Sequence, residues 1–336
     1  MNQFLVEVKT QGEVLEHCID QYFSKRNHSL EKIKEMYDSG EFKQIVFSGM
    51  GSSYYAPFSV SNYLTNNGIP SYVINSYEMY KYNMGLLTPE TLLVTVSQSG
   101  QSPEVVELLK MAKENKTTVV GVVNQEDSTV AKEVDIPLFM YAGNEKHISN
   151  KSYLNTLAVL KILSVSLVEG LSDGLKQKLD DIVTWTNDFI DKIESNTDPV
   201  FEFVKDSDNY DFIGNGPSLS TAYQAGLIYR EGPFVTASGI SCADYSHGWD
   251  LSMKPGHTAF IFDPLGEDNS VEKEMINNII NKGGKVVLIT PKEVKPNDSL
   301  YVINHPVVSE EIAPMYQITP CNTIMGWLIG DEANDN

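Results

Sequence analysis

The feature that most constrains the fold of this chain is an internal repeat. Three segments of the first half recur in the second half at an offset near 165 residues. The pairs are FSGMGSSYYA (47–56) with FIGNGPSLSTA (212–222), LLVTVSQSG (92–100) with TAFIFDPLG (258–266), and TTVVGVV (117–123) with GKVVLIT (284–290). Consistent spacing of three strand-turn units indicates a duplicated structural unit. The alternative is one large sheet whose spacing is coincidental.

Apolar strands alternate with amphipathic helices through the first half of the chain. The predicted strands are 44–47, 70–75, 91–96, 117–123 and 136–139. Such alternation predicts a parallel sheet covered by helices on both faces. We therefore predict an α/β protein with two tandem domains, each a parallel five-stranded sheet flanked by helices. The expected divisions are an N-terminal helical segment at 1–40, a first domain at 41–165, linking helices at 166–200 and a second domain at 201–330.

Composition excludes several classes of partner. The 336 residues carry a formal net charge of -20, so the chain has no basic surplus with which to bind nucleic acid or an anionic membrane. The three cysteines, Cys18, Cys242 and Cys321, are too widely spaced to suggest a disulfide framework or a zinc site. The N-terminus lacks a signal-peptide pattern, and no apolar run approaches the length of a membrane span. We expect a cytoplasmic protein.

The loop SQSGQS (97–102) is the most informative motif. It follows an apolar strand and precedes a helix that opens with Pro103 and Glu104. Three serine hydroxyls and the Gln98 amide would face the N-terminus of that helix, where backbone N–H groups and the helix dipole favour an anion. The alternative is an ordinary polar loop in which Ser102 caps the helix. Capping needs one hydroxyl and the loop has three (Ser97, Ser99 and Ser102), which favours anion binding.

A second glycine loop, GMGSSY (49–54), follows the first strand. It begins like a dinucleotide fingerprint, but Tyr54 stands where the third glycine would be, so it does not indicate a nicotinamide cofactor. The glycines permit a tight turn that brings Ser52 and Ser53 to the N-terminus of the next helix.

Two residues of the second half are candidates for proton transfer. Glu231 ends a predicted helix at 222–231, and the helix dipole there would raise its pKa. A raised pKa suits a general base that works near neutral pH. His247 follows in the loop DYSHG. From the residues alone, a solvated helix end and a hydrogen-bonded loop histidine are the more frequent roles.

These segments together resemble the sugar isomerase (SIS) family in its double-domain form. The blocks SGMGSSYYA, VTVSQSGQSPEVVELLKMAK, AGNEKHISNKSYLNTL and YREGPFVTASGISCADYSHGW follow the order of the isomerase half of glucosamine-6-phosphate synthase and of the phosphofructosyl-amine deglycases. The resemblance covers nearly the whole chain. It implies that Glu231 is the base and His247 the acid or ring-opening residue, often across a dimer interface. It also implies a phosphate site at Ser53, Ser97, Gln98, Ser99 and Ser102, and sugar contacts at Ser52, Ser149 and Lys151.

The chain departs from the synthase pattern in four places, one of which is the block HISNKSY, shorter by one residue around Ser149. The other three bear on the reaction. The chain begins with the isomerase half, which implies that it does not take ammonia from glutamine by itself. Ile228 stands where the synthase carries a lysine, and the final GDEANDN has no lysine to close over the sugar. Both lysines serve an open-chain keto-sugar, so their loss favours a substrate that already contains nitrogen.

The function predicted from the sequence is deglycation. A 6-phosphofructosyl-amine or -amino acid would give glucose 6-phosphate and a free amine through Glu231 and His247, without a metal or other cofactor. The alternatives are a phosphosugar aldose–ketose isomerase, an amino-sugar-phosphate deaminase and, last, a non-catalytic sugar-phosphate sensor. The expected partners are a phosphorylated sugar or sugar-amine adduct and a second copy of the chain, with sites shared in a homodimer.

Overall fold

Strands and helices alternate along the chain in the computed structural model, which describes residues 2–24, 27–146, 148–194, 199–266 and 270–330. The strands are β1 (Gln44–Gly49), β2 (Ser71–Asn75), β3 (Thr91–Ser97), β4 (Thr118–Val123), β5 (Ile136–Phe139), β6 (Asn209–Gly214), β7 (Thr236–Ser241), β8 (His257–Phe262), β9 (Lys285–Thr290) and β10 (Leu300–Asn304).

The helices account for most of the intervening residues. They are α1 (Gln3–Val8), α2 (Gln11–Phe23), α3 (His28–Asp38), α4 (Ser52–Tyr55), α5 (Phe58–Asn66), α6 (Ser76–Tyr82), α7 (Pro103–Glu114), α8 (Thr129–Glu133), α9 (Lys151–Val168), α10 (Asp173–Glu194), α11 (Val200–Val204), α12 (Leu219–Glu231), α13 (Cys242–Ser246), α14 (Ser270–Asn281) and α15 (Ala313–Ile329). Short 3₁₀ turns lie at Met84–Leu86, Gly216–Ser218 and Trp249–Ser252.

The first sheet has the order β2-β1-β3-β4-β5, and its neighbouring strands run parallel. Its central strand β3 is buried at every residue, as expected where helices cover both faces. The edge strand β2 is partly exposed along its length. Since β1 leads to β2 on one side and β3 leads to β4 on the other, a crevice opens at the carboxyl ends of β1 and β3.

The second sheet has the order β10-β9-β8-β6-β7 and is also parallel throughout. When the strands of each sheet are numbered from its own first strand, both sheets have the same order, 2-1-3-4-5. The central strand β8 is buried at every residue, like β3. The predicted α/β fold with two tandem parallel five-stranded sheets is therefore confirmed.

The repeat extends to the turns that follow β1 and β6. A Cβ on Gly49 would lie 2.6 Å from the backbone oxygen of Ser53, and a Cβ on Gly214 would lie 2.8 Å from that of Ser218. Both turns therefore require glycine at this position, because a side chain would collide with the backbone. The second glycines of the two turns share a φ of 52°: Gly51 and Gly216.

The chain divides into two compact units, each built on one sheet. The first-sheet unit contains Gln11–Glu145 and Ser149–Thr184. The second-sheet unit contains three parts of the described chain. They are the residues up to Thr10, the two residues Lys146 and Ile148, and the residues from Trp185 onward. The boundaries expected at 40, 165 and 200 stay predictions.

The helix α9 forms much of the core of the first-sheet unit. It is buried from Lys151 to Leu167, and each fully buried leucine or valine contributes about 1.5–3 kcal/mol relative to an exposed one. Among the described residues, α9 is long and apolar enough to cross a membrane by length and composition. However, 94% of that 18-residue window is buried within the fold, as in the core helix of a globular unit.

Candidate functional site

The SQSGQS loop lies at the carboxyl end of β3, in the crevice between β1 and β3. Ser97 is the last residue of β3 and is buried, with 2% of its surface exposed. The loop leads directly into α7, a helix of 12 residues. The first-sheet unit therefore combines a switch-point crevice with a helix N-terminus, which are the two features expected of an anion site.

Two serine hydroxyls of this loop accept hydrogen bonds from the loop backbone. Ser97 Oγ accepts the Gly100 N–H at 3.0 Å, and Ser99 Oγ accepts the Gln101 N–H at 3.2 Å. A hydroxyl that accepts still has its own proton to donate. The Gly100 and Gln101 N–H groups are already bonded to these hydroxyls. The Ser97 and Ser99 hydroxyls are therefore the donors that this part of the loop offers to a ligand.

Ser102 precedes α7 and does not cap it through its side chain. It has extended ψ (122°), and its hydroxyl makes no capping hydrogen bond. Pro103 at the first helical position has no N–H to satisfy. The interpretation of Ser102 as an ordinary helix cap is not supported, and its hydroxyl is available to a ligand beside Gln98, which is partly buried.

The residues expected to complete the site lie on two further elements of the same unit. Ser52 and Ser53 are the first residues of α4, directly after the glycine turn of β1, and both are partly buried. Ser149 and Lys151 flank the start of α9, where Ser149 Oγ lies 2.9 Å from Ser152 Oγ. Lys151 is buried, with 8% of its surface exposed. The register of β1 with β3 brings the α4 turn and the SQSGQS loop to one edge of the sheet.

Glu231 lies in the second-sheet unit as the last residue of α12. Its side chain is exposed, yet neighbouring atoms desolvate the carboxyl and raise its pKa above the usual range. The direction agrees with the sequence-based expectation, but the cause is desolvation. Three residues earlier, Ile228 is completely buried.

His247 follows α13 in the same unit. Its backbone N–H donates to the Asp244 carbonyl at 3.0 Å, and its side chain is exposed. Gly248 comes next with φ of 136°, a conformation that L-residues rarely adopt. The imidazole is thus held on a tight turn rather than inside the fold.

The second-sheet unit contains a counterpart of the SQSGQS loop that sequence analysis did not single out. Asp263 replaces Ser97 in the repeat, and its Oδ1 accepts the Gly266 N–H at 2.9 Å. A cavity of about 370 Å³ opens there between the ends of β6 and β8. Its lining includes two further carboxylates, Glu272 and Glu310.

The charges of this second cleft do not suit phosphate. Burial and the nearby Asp263 carboxylate raise the pKa of Glu272 to about 7. Lys292 Nζ lies 3.4 Å from Asp263 Oδ2 and 3.7 Å from Glu272 Oε1. Its positive charge is therefore already paired with these two carboxyl groups. Carboxylates repel a phosphate dianion, so the SQSGQS loop of the first-sheet unit is the better candidate for a phosphate site. The signal that could have identified this difference is the aspartate at the position of Ser97 in the repeat.

Comparison with known proteins agrees with the family resemblance seen in the sequence. Residues 41–166 match the SIS domain family over the whole of the first sheet. This segment is a SIS domain. Over 305 residues (88% of the chain and 50% of the relative), the chain is 25% identical to glutamine–fructose-6-phosphate aminotransferase (isomerizing) of Thermococcus kodakarensis. The chain spans about half the length of the curated relatives it matches.

Solved structures share the fold of the SIS domain and of the unit that follows it. The C-terminal domain of glucosamine-fructose-6-phosphate aminotransferase from Francisella tularensis has a TM-score of 0.84 at 20% identity, covering 98% of this chain and 96% of that one. Tagatose-6-phosphate ketose/aldose isomerase from Escherichia coli has a TM-score of 0.77 at 14% identity, covering 98% and 92%. At these identities the similarity is one of fold.

Proposed function

We propose that the chain is a phosphosugar enzyme that holds the phosphate of its substrate on the SQSGQS loop. The observation that carries this proposal is the pair of hydroxyls on Ser97 and Ser99, each of which accepts a loop N–H and keeps its proton to donate. A phosphate oxygen accepts such bonds strongly because it is charged. Gln98, Ser102 and Ser53 complete the proposed phosphate set, and Ser52, Ser149 and Lys151 are assigned to the sugar.

The reaction that we infer is deglycation of a 6-phosphofructosyl-amine or -amino acid. Glu231 removes a proton from the carbon that carries the nitrogen, beside the sugar carbonyl, and gives an enaminol. His247 returns a proton to the neighbouring carbon, which leaves an imine. Water adds to the imine, and the amine departs from glucose 6-phosphate. These steps require one base and one acid, and the raised pKa of Glu231 fits the role of base.

The buried Ile228 supports a substrate that already contains nitrogen. The resemblance to the synthase assigns a lysine to this position, where an amine would handle an open-chain keto-sugar. Here an apolar side chain fills the position and is 0% exposed, so no amine is available from it.

A phosphosugar isomerase or an amino-sugar-phosphate deaminase is the second candidate. The Thermococcus kodakarensis relative is an isomerizing aminotransferase, and a base such as Glu231 would serve aldose–ketose isomerisation equally well. A non-catalytic sugar-phosphate sensor ranks last, because it would not need the Glu231 and His247 pair.

A substrate panel tests these proposals. The purified chain is incubated with a fructosyl-amino acid 6-phosphate, fructose 6-phosphate or glucosamine 6-phosphate, and the release of glucose 6-phosphate, amine or ammonia is measured. We expect glucose 6-phosphate and amine from the first substrate. Turnover of only the second or third substrate would refute deglycation in favour of isomerisation or deamination.

The variant Glu231→Gln tests the assigned base. Loss of a general base lowers kcat by about 10²- to 10⁴-fold, while binding of glucose 6-phosphate should change little. Glu274→Gln makes the same chemical change at an exposed position of α14 and serves as the matched control. Normal turnover by Glu231→Gln would exclude Glu231 as the base.

We further propose a cytoplasmic homodimer that shares its sites between subunits. The charge of -20, with no basic surplus, argues against nucleic acid or an anionic membrane as a partner.

A further inference from the structure

The start of α8 contacts the SQSGQS loop at three consecutive residues. The Val130 N–H donates to the Gly100 carbonyl at 3.0 Å. Thr129 Oγ1 donates to Gln101 Oε1 at 2.8 Å. Ser128 packs so closely that a Cβ on Gly100 would lie 2.0 Å from its Oγ. The loop therefore packs against the start of α8 at the buried Gly100, while the bond between Thr129 and Gln101 lies at the surface.

The residues that make these contacts are themselves fixed. Ser128 is buried, and its Oγ accepts the Ala131 N–H at 3.2 Å as the N-cap of α8. Val130 is completely buried. Thr129 is partly buried. Thr129 thus lies between two buried residues, Ser128 and Val130, that anchor the start of α8.

Gln101 connects Thr129 to the proposed phosphate site. Its side-chain oxygen accepts the Thr129 hydroxyl, and its backbone N–H donates to Ser99 Oγ at 3.2 Å. Gln101 is thereby held at both ends. A hydroxyl that accepts from an N–H has a restricted set of directions for its own proton, so the Gln101 N–H limits where the Ser99 hydroxyl can donate.

We propose that Thr129 is a positioning residue that acts through Gln101 to orient the Ser99 hydroxyl towards the substrate phosphate. This inference rests on the proposed phosphate site and adds to it the element that prepares the loop before binding. Without the bond from Thr129, Gln101 and the Ser99 hydroxyl gain rotational freedom that phosphate binding must then remove. The effect falls on binding of the phosphorylated substrate and leaves the proton-transfer residues unchanged.

The experiment compares Thr129→Val, which keeps the shape and loses the hydroxyl, with Thr129→Ser, which restores the hydroxyl. Thr65→Val changes an exposed threonine of α5 and is the control for the substitution itself. The measurements are the Kd for glucose 6-phosphate by calorimetry, kcat and KM for the best substrate of the panel, and the unfolding midpoint.

We expect Thr129→Val to raise the Kd and KM about three- to tenfold, the range of one neutral hydrogen bond, with kcat and the unfolding midpoint near wild type. Thr129→Ser should return most of the affinity. Combining Thr129→Val with Gln101→Leu should cost no more than either change alone, because both break the same chain of contacts.

Two results separate this inference from the proposed function. Wild-type chain that does not bind glucose 6-phosphate would overturn the phosphate site and the role of Thr129 together. Wild-type chain that binds it, with Thr129→Val binding equally well, would overturn only the role of Thr129. A fall in kcat with unchanged Kd would also contradict a positioning role at the phosphate.

Discussion

Replacing Gly100 by alanine tests whether the SQSGQS loop is built as tightly as its contacts imply. The residue has φ of 62°, which costs an alanine about 1–2 kcal/mol. The new methyl group would also lie 2.0 Å from Ser128 Oγ and 2.3 Å from Ser128 Cβ. The second atom cannot rotate away, so the backbone must shift, and overpacking of this kind costs about 1–3 kcal/mol. We expect a total loss of about 2–5 kcal/mol from these two contributions.

Two further variants divide this loss into its backbone and packing parts. Gly40 has φ of 76°, and no atom lies within 4 Å of the position that an alanine Cβ would take there. Gly40→Ala should therefore lose only the backbone part, about 1–2 kcal/mol. Ser128→Gly removes both colliding atoms, and glycine at an N-cap costs only about a few tenths of a kcal/mol. In the Ser128→Gly background, Gly100→Ala should cost about as much as Gly40→Ala.

The assay must report on the first-sheet unit. The tryptophans Trp185, Trp249 and Trp327 all belong to the second-sheet unit, so their fluorescence is unsuitable. Hydrogen exchange of the β3 and α7 amides measures opening of the correct region. If Gly100→Ala exchanges like wild type, or if Ser128→Gly does not reduce its cost, the tight contact between the loop and α8 is refuted.

Three other predictions concern binding and pH. Ser97→Ala should weaken binding of glucose 6-phosphate about 10- to 150-fold, the range for a hydrogen bond to a charged group. Calorimetry measures the Kd, and an unchanged Kd would show that Ser97 does not bind the phosphate. The acid limb of the kcat–pH profile should have its midpoint above 4.5, the ordinary pKa of a glutamate, because desolvation raises the pKa of Glu231; a limb at or below that value would point to another base. The Glu272 carboxyl has its pKa raised from 4.5 to about 7 by burial, so between these values the folded chain binds more protons than the unfolded chain and its stability falls as pH rises. Denaturation of Glu272→Gln across this window should show a flatter pH dependence than wild type, and an identical slope would contradict the shift.

The repeated turns made much of the fold predictable. Strands such as β3 and β8 are mainly apolar and are followed by a turn that contains glycine, so both their type and their position are visible in the sequence. The positions of β7 and β10 were not predicted. β7 has the sequence TASGIS and begins with an exposed residue, so neither alternation nor a long apolar run distinguishes it from a loop.

The candidate site was only partly predictable for a related reason. The serines of the SQSGQS loop are adjacent in sequence, and their number indicated an anion. The contacts of Ser128 and Thr129 with the loop join residues about thirty positions apart, and no local pattern encodes such a contact. The N-terminal helix α1 is a further case: Asn2 Nδ2 donates to the carbonyl oxygens of Gly326 at 2.7 Å and Gly330 at 2.9 Å, a pairing between distant parts of the chain.

Comparison of the equivalent turns at Ser97 and Asp263 distinguishes two roles of the serine hydroxyl, which are to shape the turn and to bind an anion. Shaping the turn requires an oxygen that accepts the N–H of the glycine three residues later, and both side chains supply one. Holding an anion requires a proton to give, and an ionised aspartate has none. The two halves of the chain thus show the same turn with serine in one and aspartate in the other. A substitution at the first position of such a turn can therefore change which ligand charge the site prefers, while the backbone of the turn stays the same.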